Sequence, residues 1–253
     1  MFVDDSLKSF HFPQVHRELA IWRRLNHENI VPLLGIASGF GPDNSISMVS
    51  IWFTNGTLTS YLARKRETLH HRPRLELLRD IAAGVQYLHA SEVVHGDLSG
   101  NNVLINGQGK ACLTDFGLST ASGGFQGTSY FGAGRHGAIR WVAPEIIVGV
   151  GQHSTFASDI YSFGSIMLQV LSGEVPWSEV AIEHVIVQKL TDGQVPRRPS
   201  IVSRTHWAFI RKCWSPSPRN ATRPSSRPSA PEIVDFLNSR LHGKMSCFFR
   251  LTI

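Results

Sequence analysis

Residues 93–117 read V-V-H-G-D-L-S-G-N-N-V-L-I-N-G-Q-G-K-A-C-L-T-D-F-G, and this stretch decides the fold. Two short apolar runs of β-forming residues, at 103–105 and 111–113, flank the turn residues 106–109. Turn residues between two such runs predict a β-hairpin. We therefore expect the polar loop that enters this hairpin and residues 115–117 that leave it to lie at the same end.

Three oxygen-bearing side chains, those of Asp97, Asn102 and Asp115, should meet at that end of the hairpin. Two carboxylates and an amide suit Mg²⁺, because hard cations prefer oxygen ligands. A carboxylate that does not bind the metal can accept a proton from a hydroxyl group. The alternative interpretation is an ordinary loop with acids placed by chance.

The composition, with 42% hydrophobic and 17% charged residues in a chain of 253, is ordinary for a globular protein with a sizeable core. Cys112, Cys213 and Cys247 are far apart and form no C-x-x-C pair, so we expect a reduced, cytoplasmic chain without disulfides or a zinc site. The first residues show no signal-peptide pattern, and no apolar run is long enough to span a membrane. The net charge of +6 comes from scattered residues, so we expect no nucleic-acid partner.

The pattern H-x-D-L-x-x-x-N, followed by D-F-G, resembles the catalytic loop and metal-binding segment of eukaryotic protein kinases. A D-F-G alone would be a weak signal, but the combination at this spacing is specific. The resemblance implies a two-lobed α+β fold and transfer of the ATP γ-phosphate to a hydroxyl of a protein substrate. It implies that Asp97 orients and deprotonates the hydroxyl, while Asn102 and Asp115 bind Mg²⁺ over the ATP phosphates.

Residues 13–25 have a helical apolar period, and in the resemblance they match the family's C helix, with Glu18 as its glutamate. A surface glutamate on an amphipathic helix is the alternative. Residues 30–36 and 46–53 are predicted strands, which match the last two strands of the family's small lobe.

The resemblance places the hinge between the lobes at residues 51–53. The main-chain groups of Ile51 and Phe53 are then expected to bond the adenine, with Leu104 also assigned to the nucleotide site and small Ser50 behind it. Plain strand packing is the alternative for each of these residues.

The rest of the chain is predicted to be mostly helical, apart from a glycine-rich loop that matches the family's activation segment and ends at A-P-E, 143–145. The candidate phosphorylation sites of this loop are Thr120, Ser122, Thr128, Ser129 and Tyr130. In the resemblance, Asp159 holds the catalytic-loop backbone; it is also an acid that suits a helix N-terminus. Arg227 is expected to pair with Glu145, with Arg223 as the alternative. A long helix is predicted to start at Pro73, with an apolar stripe that reaches Leu88, and further helices are predicted at the ranges 58–66, 155–171, 179–190, 206–213 and 231–241.

The sequence departs from the family pattern ahead of Glu18, where it has neither G-x-G-x-x-G nor V-A-I-K. We therefore expect a chain truncated before the C helix, with an incomplete small lobe at 1–53, a helical large lobe at 54–242 and a tail at 243–253. Gly96 also stands where the family has an arginine, and Ser99 stands where it has a lysine or arginine.

The segment G-A-I-R-W-V-A-P-E, 137–145, is similar to tyrosine-kinase-like serine/threonine kinases, with tyrosine kinases as the alternative. Two functions remain open. One is a protein kinase in signal transduction, and the other is a catalytically impaired pseudokinase or kinase fragment that binds other proteins.

Overall fold

The computed structural model describes residues 13–39, 46–116, 120–121, 138–148, 153–216 and 226–243. Within them the helices are α1 (Pro13–Trp22), α2 (Leu58–Lys65), α3 (His71–Ala90), α4 (Pro144–Val148), α5 (Phe156–Ser172), α6 (Glu183–Thr191), α7 (Arg204–Cys213) and α8 (Ala230–His242). The strands are β1 (Leu33–Ser38), β2 (Ile46–Ser50), β3 (Val93–Val94), β4 (Val103–Ile105), β5 (Ala111–Leu113) and β6 (Thr120–Ala121). This is the mostly helical α+β architecture that the sequence predicts.

Helix α5 is the central element of the core, because fourteen of its seventeen residues are buried. Its N-terminus is fixed by a capping box, in which Thr155 and Ser158 each bond the other's main-chain N–H. Its C-terminus ends at Gly173, whose φ of 82° is the left-handed conformation that glycine adopts without strain. Helices α3 and α7 pack against it, and α8 packs on α3.

The predicted hairpin is confirmed, with β4 and β5 paired antiparallel and Val103 opposite Leu113. Asn106 stabilises the turn, since its side-chain oxygen accepts the main-chain N–H groups of Gln108 and Lys110, each at 2.9 Å. The loop before β4 and the residues after β5 therefore leave the hairpin at the same end, as the sequence predicts.

The first predicted strand begins later than expected, at Leu33 instead of residue 30. The reason is a long-range pairing: Ile30 bridges Leu113, and the Val31 N–H donates to the Leu113 carbonyl at 2.9 Å. Residues 30 and 31 thus belong to the edge of the hairpin, and pairing with β2 begins at Leu33, the first residue of β1.

Other boundaries shift by a few residues. Helix α1 ends at Trp22 because the next turn tightens, with Leu25 N–H bonding the Trp22 carbonyl. Helix α3 begins at His71, which leaves Pro73 in the first turn, where its missing N–H has no helical partner to lose. Helix α6 begins at Glu183, not at 179, because Val180 N–H closes a turn on the Trp177 carbonyl. The proposed lobe division at residue 53 stays a prediction.

Candidate active site

The start of the catalytic loop is held by Asp159, in the first turn of α5 and 1% exposed. Its Oδ2 accepts the main-chain N–H of His95 and its Oδ1 accepts that of Gly96, each at 2.9 Å. The Nε2 atom of His89 also lies 2.9 Å from Oδ2. The expected role of Asp159 is therefore seen directly, and so is its place at a helix N-terminus, which favours a negative charge.

Asp97 and Asn102 are brought together inside this loop. The Asn102 side-chain amide donates to the main-chain carbonyl of Asp97 at 2.8 Å and to its carboxylate Oδ2 at 2.9 Å. Both bonds use the amide nitrogen, so the amide oxygen of Asn102 faces away from Asp97 and keeps its capacity as an acceptor. The arrangement fixes the orientation of the Asp97 carboxylate.

Asp115 reaches the same end of the hairpin, because the Thr114 N–H donates to the Asn102 carbonyl at 3.0 Å. Asp115 is exposed, and its φ of 63° lies in the left-handed region that side chains other than glycine seldom adopt. Such a conformation persists only where neighbouring contacts hold it, and it is common at functional sites.

Phe116 supplies that support, since it is fully buried next to the rings of Trp22 and His95, at centroid distances of 5.8 and 5.6 Å. The indole N–H of Trp22 in turn donates to the Val31 carbonyl at 2.6 Å. Glu18, which is partly buried, lies one turn before Trp22 on the same side of α1. Glu18 is therefore on the side of the helix that packs towards the site.

The segment that follows the predicted hinge is held beside β4. Gly56 accepts the Ile105 N–H at 2.8 Å, and Thr57 bridges Leu104. Ile51 is 45% exposed, whereas the Phe53 side chain is 5% exposed. The structure thus places Leu104 close to the segment that follows the hinge, and the adenine contacts of Ile51 and Phe53 stay predictions.

Burial, together with the nearby charge of Asp80, raises the pKa of the Cys112 thiol in β5 to about 11. This thiol is protonated at neutral pH and is not an activated nucleophile.

In the part of the chain that the structure describes, no group of three or more His, Cys, Asp or Glu side chains could hold a metal ion. The candidate metal ligands here are instead an amide oxygen and a carboxylate, from Asn102 and Asp115.

Arg227 makes the expected ion pair with Glu145, at 2.5 and 3.0 Å. Arg223, Gly117 and most of the predicted activation segment lie outside the described residues, together with the proposed phosphorylation sites Ser122, Thr128, Ser129 and Tyr130. Thr120, a fifth proposed site, lies in β6, which pairs with β3 just before the catalytic loop.

A cavity of about 240 Å³ lies away from Asp97, between the C-terminal end of α5 and the link from α6 to α7, and Trp177, Arg197 and Arg198 help to line it. Among the described residues, no helix is both long and apolar enough to cross a membrane. Sequence reasoning missed Gln169, a buried polar residue of α5, because it stands in an otherwise apolar helix pattern.

Comparisons with known proteins give matches over most of the chain. The family described as protein tyrosine and serine/threonine kinase matches residues 3–237. The RGS domain-containing serine/threonine-protein kinase A of Dictyostelium discoideum is 28% identical over 94% of this chain and 20% of its own length. The serine/threonine-protein kinase CTR1 of Arabidopsis thaliana is 32% identical over 91% of this chain and 27% of its own length. Ephrin type-A receptor 1 of Homo sapiens is 32% identical over 79% of this chain and 20% of its own length. The chain therefore spans only about a third or less of each of these relatives.

Proposed function

Because the chain belongs to the protein tyrosine and serine/threonine kinase family, we propose that it transfers the terminal phosphate of ATP to a hydroxyl group of a protein substrate, as part of signal transduction. The observation that carries the proposal is the pair of hydrogen bonds that the Asn102 amide nitrogen donates to the main-chain carbonyl and the carboxylate of Asp97. It presents one carboxylate in a fixed orientation and leaves the Asn102 amide oxygen as an acceptor at the end of the hairpin where Asp115 follows β5.

In this proposal Asp97 accepts a hydrogen bond from the substrate hydroxyl and takes its proton as the hydroxyl attacks. The acid can do so because the Asn102 N–H groups hold it in place, and a positioned base contributes about 10²- to 10⁴-fold to a rate. Asp159, through His95 and Gly96, keeps the start of the loop from moving during the step.

The donor set fits Mg²⁺, since Asn102 and Asp115 offer oxygen atoms only. When bound, the ion would neutralise charge on the phosphate oxygens. The hinge groups of Ile51 and Phe53, with Leu104, would hold the adenine of ATP. Glu18 would pair with the V-A-I-K lysine that contacts the phosphates, where the extended protein supplies one. We assign the chain serine/threonine specificity, with tyrosine as the alternative, because several of its relatives carry serine/threonine kinase names. We assign it to the cytoplasm because its three scattered cysteines indicate a reduced compartment.

Calorimetric titration of the chain with ATP, with and without Mg²⁺, tests the site. We expect weak binding that requires Mg²⁺ and is lost in Asp115→Asn, because that change removes a charged ligand. Asp235→Asn on the exposed side of α8 makes the same chemical change away from the site and should have no effect. Tight binding that ignores chelation of Mg²⁺ would contradict the assignment.

Radiolabel transfer from ATP to a generic protein substrate tests the reaction. The 253 residues contain neither the glycine loop nor the V-A-I-K lysine, and each lost charge contact costs about 10²- to 10³-fold in rate, so we expect transfer near background. The same assay on the chain extended by any upstream coding sequence should show transfer that Asp97→Asn abolishes. Mg²⁺-dependent ATP binding without transfer in both forms would favour the protein-binding alternative.

A further inference from the structure

We propose that Gln169 is a positioning residue of the transfer site, through which α5 holds the middle of the catalytic loop against the segment that contains Trp141. The proposal rests on the proposed function for its catalytic meaning, but the contacts that carry it are independent of any activity.

Gln169 is 1% exposed, and its side-chain amide is hydrogen-bonded on both sides. The oxygen accepts the indole N–H of Trp141 at 3.1 Å, and the nitrogen donates to the Thr59 hydroxyl of α2 at 3.1 Å. One buried amide therefore joins three parts of the chain that are far apart in sequence. Burying an amide costs free energy unless it is hydrogen-bonded, so moving Trp141 or Thr59 away from Gln169 is unfavourable.

Gly100, in the middle of the catalytic loop, packs directly on this amide. A Cβ atom on Gly100 would stand 2.3 Å from the Gln169 Oε1 atom and 2.6 Å from the Thr59 hydroxyl oxygen, closer than real carbon atoms approach. The Gly100 carbonyl also accepts the Thr59 N–H at 3.0 Å. Gly100 lies between Asp97 and Asn102, so the amide supports the part of the loop that carries the proposed base.

The Trp141 side of the contact fixes a second segment. The neighbouring Arg140 donates to the main-chain carbonyls of Trp177 and Val180 at 2.7 and 3.0 Å, which anchors this segment to the loop after α5. Trp141 itself is 2% exposed. The segment before α4 is thus held from both sides, and Gln169 sets its distance from the catalytic loop.

A protein substrate must place its hydroxyl against Asp97 while its chain lies along the surface beside the loop. If the loop and the Trp141 segment move apart, the hydroxyl loses alignment with Asp97, and a displacement of about 1 Å costs roughly a hundredfold in rate. Apart from Asn102, the groups proposed to hold ATP lie outside this loop, at the hinge and at Asp115. Loss of Gln169 should therefore impair the protein substrate much more than the nucleotide.

The variants Gln169→Leu and Gln169→Glu separate hydrogen bonding from packing. Leucine fills similar space but bonds neither partner. Glutamate can still accept from Trp141, and the Thr59 hydroxyl can rotate to donate to it, so the conservative variant should restore the contact. Gln188→Leu, on the exposed surface of α6 where Gln188 donates to Asp192 at 3.0 Å, is the matched control.

Hydrogen exchange by mass spectrometry on the full chain is the first measurement. In Gln169→Leu we expect faster exchange in residues 97–102 and 138–143, unchanged exchange in α3 and near-normal exchange in Gln169→Glu. Equal exchange of wild type and Gln169→Leu in those two segments would overturn the proposal. So would equal effects of leucine and glutamate, since packing alone would then explain the residue.

The second measurement is steady-state kinetics, made with whichever form of the protein transfers phosphate. We expect kcat/KM for the protein substrate to fall about tenfold to a hundredfold in Gln169→Leu, with little change in the KM for ATP. An equal rise in both KM values would refute a substrate-side role. If no form transfers phosphate, the proposed function fails, and the exchange measurement still decides whether Gln169 positions the loop.

Discussion

The ion pair of Arg227 with Glu145 gives a prediction that depends on structure alone. Arg227 has 1% of its side chain exposed, and Glu145 has 20%. The guanidinium group makes two bonds to the carboxylate and also donates to the main-chain carbonyls of Ser215 and Ala157, each at 2.8 Å. It lies 5.1 Å from the centre of the Tyr161 ring.

We expect Arg227→Met to destabilise the protein by about 3–5 kcal/mol, the cost of removing one partner of a buried ion pair. Methionine keeps most of the volume, so the loss comes from the Glu145 charge that is left without its partner. For a chain of this size, each kcal/mol lowers the melting temperature by roughly 2–4 °C. The expected fall is therefore roughly 6–20 °C, which calorimetry or urea unfolding resolves easily.

A double-mutant cycle with Glu145→Gln tests the reasoning. If the uncompensated charge causes the loss, Glu145→Gln should recover part of the stability in the Arg227→Met background, so the two changes should not be additive. Arg240→Met is a matched control, because Arg240 also lies 5.1 Å from an aromatic ring, that of Phe236, but is exposed. Additive losses, or a loss no larger than in the control, would refute the account.

Three further outcomes are expected. Gly164→Ala should cost about 1–3 kcal/mol in urea unfolding, because the new Cβ would stand 2.6 Å from the Cys213 Cβ, whereas Gly35→Ala, with nothing within 4 Å, should not show this loss. Burial lowers the pKa of His206 from 6.5 to about 4, so its contribution to stability is complete above pH 6.5 and is lost as the pH falls towards 4; His206→Gln should flatten the stability profile in that window. Asp159→Asn should speed hydrogen exchange of the His95 and Gly96 main-chain amides, whose hydrogen bonds Asp159 accepts. Equal exchange in the variant and the wild type would contradict the anchoring role of Asp159.

Local signals account for what could be predicted from the sequence. The strands at 103–105 and 111–113 are found at the predicted residues, because turn residues and β-forming runs act over a few positions. Thr57 caps α2 by accepting the Ser60 N–H, as its side chain and position indicate. The pairings of Asp159 and Arg227 came from resemblance to a family, since no local pattern joins residues that are more than sixty positions apart.

Contacts between distant segments explain most of what the sequence did not show. The early start predicted for β1 fails because residues 30 and 31 bond Leu113, and no feature of an apolar run tells which partner it will take. The pairing of β3 with β6 was missed for the same reason, as glycine-rich sequence around residues 120–121 predicts a loop. The observed helix ends differ from the predicted ones by a few residues, because α1 ends in a tightened turn and α3 begins two residues before its proline.

The polar residues of α5 show why buried networks are hard to read from sequence and yet decide the site. Asp159 and Gln169 are ten residues apart on one helix, about 15 Å along its axis. Asp159 bonds the loop at His95 and Gly96, and Gln169 contacts it at Gly100. The catalytic loop therefore runs alongside α5 from its N-terminal end, held at its start and at its middle, with Asp97 between the two points. In an apolar helix pattern, Asp159 and Gln169 look like interruptions. Their satisfied hydrogen bonds are nevertheless what give the catalytic loop one conformation.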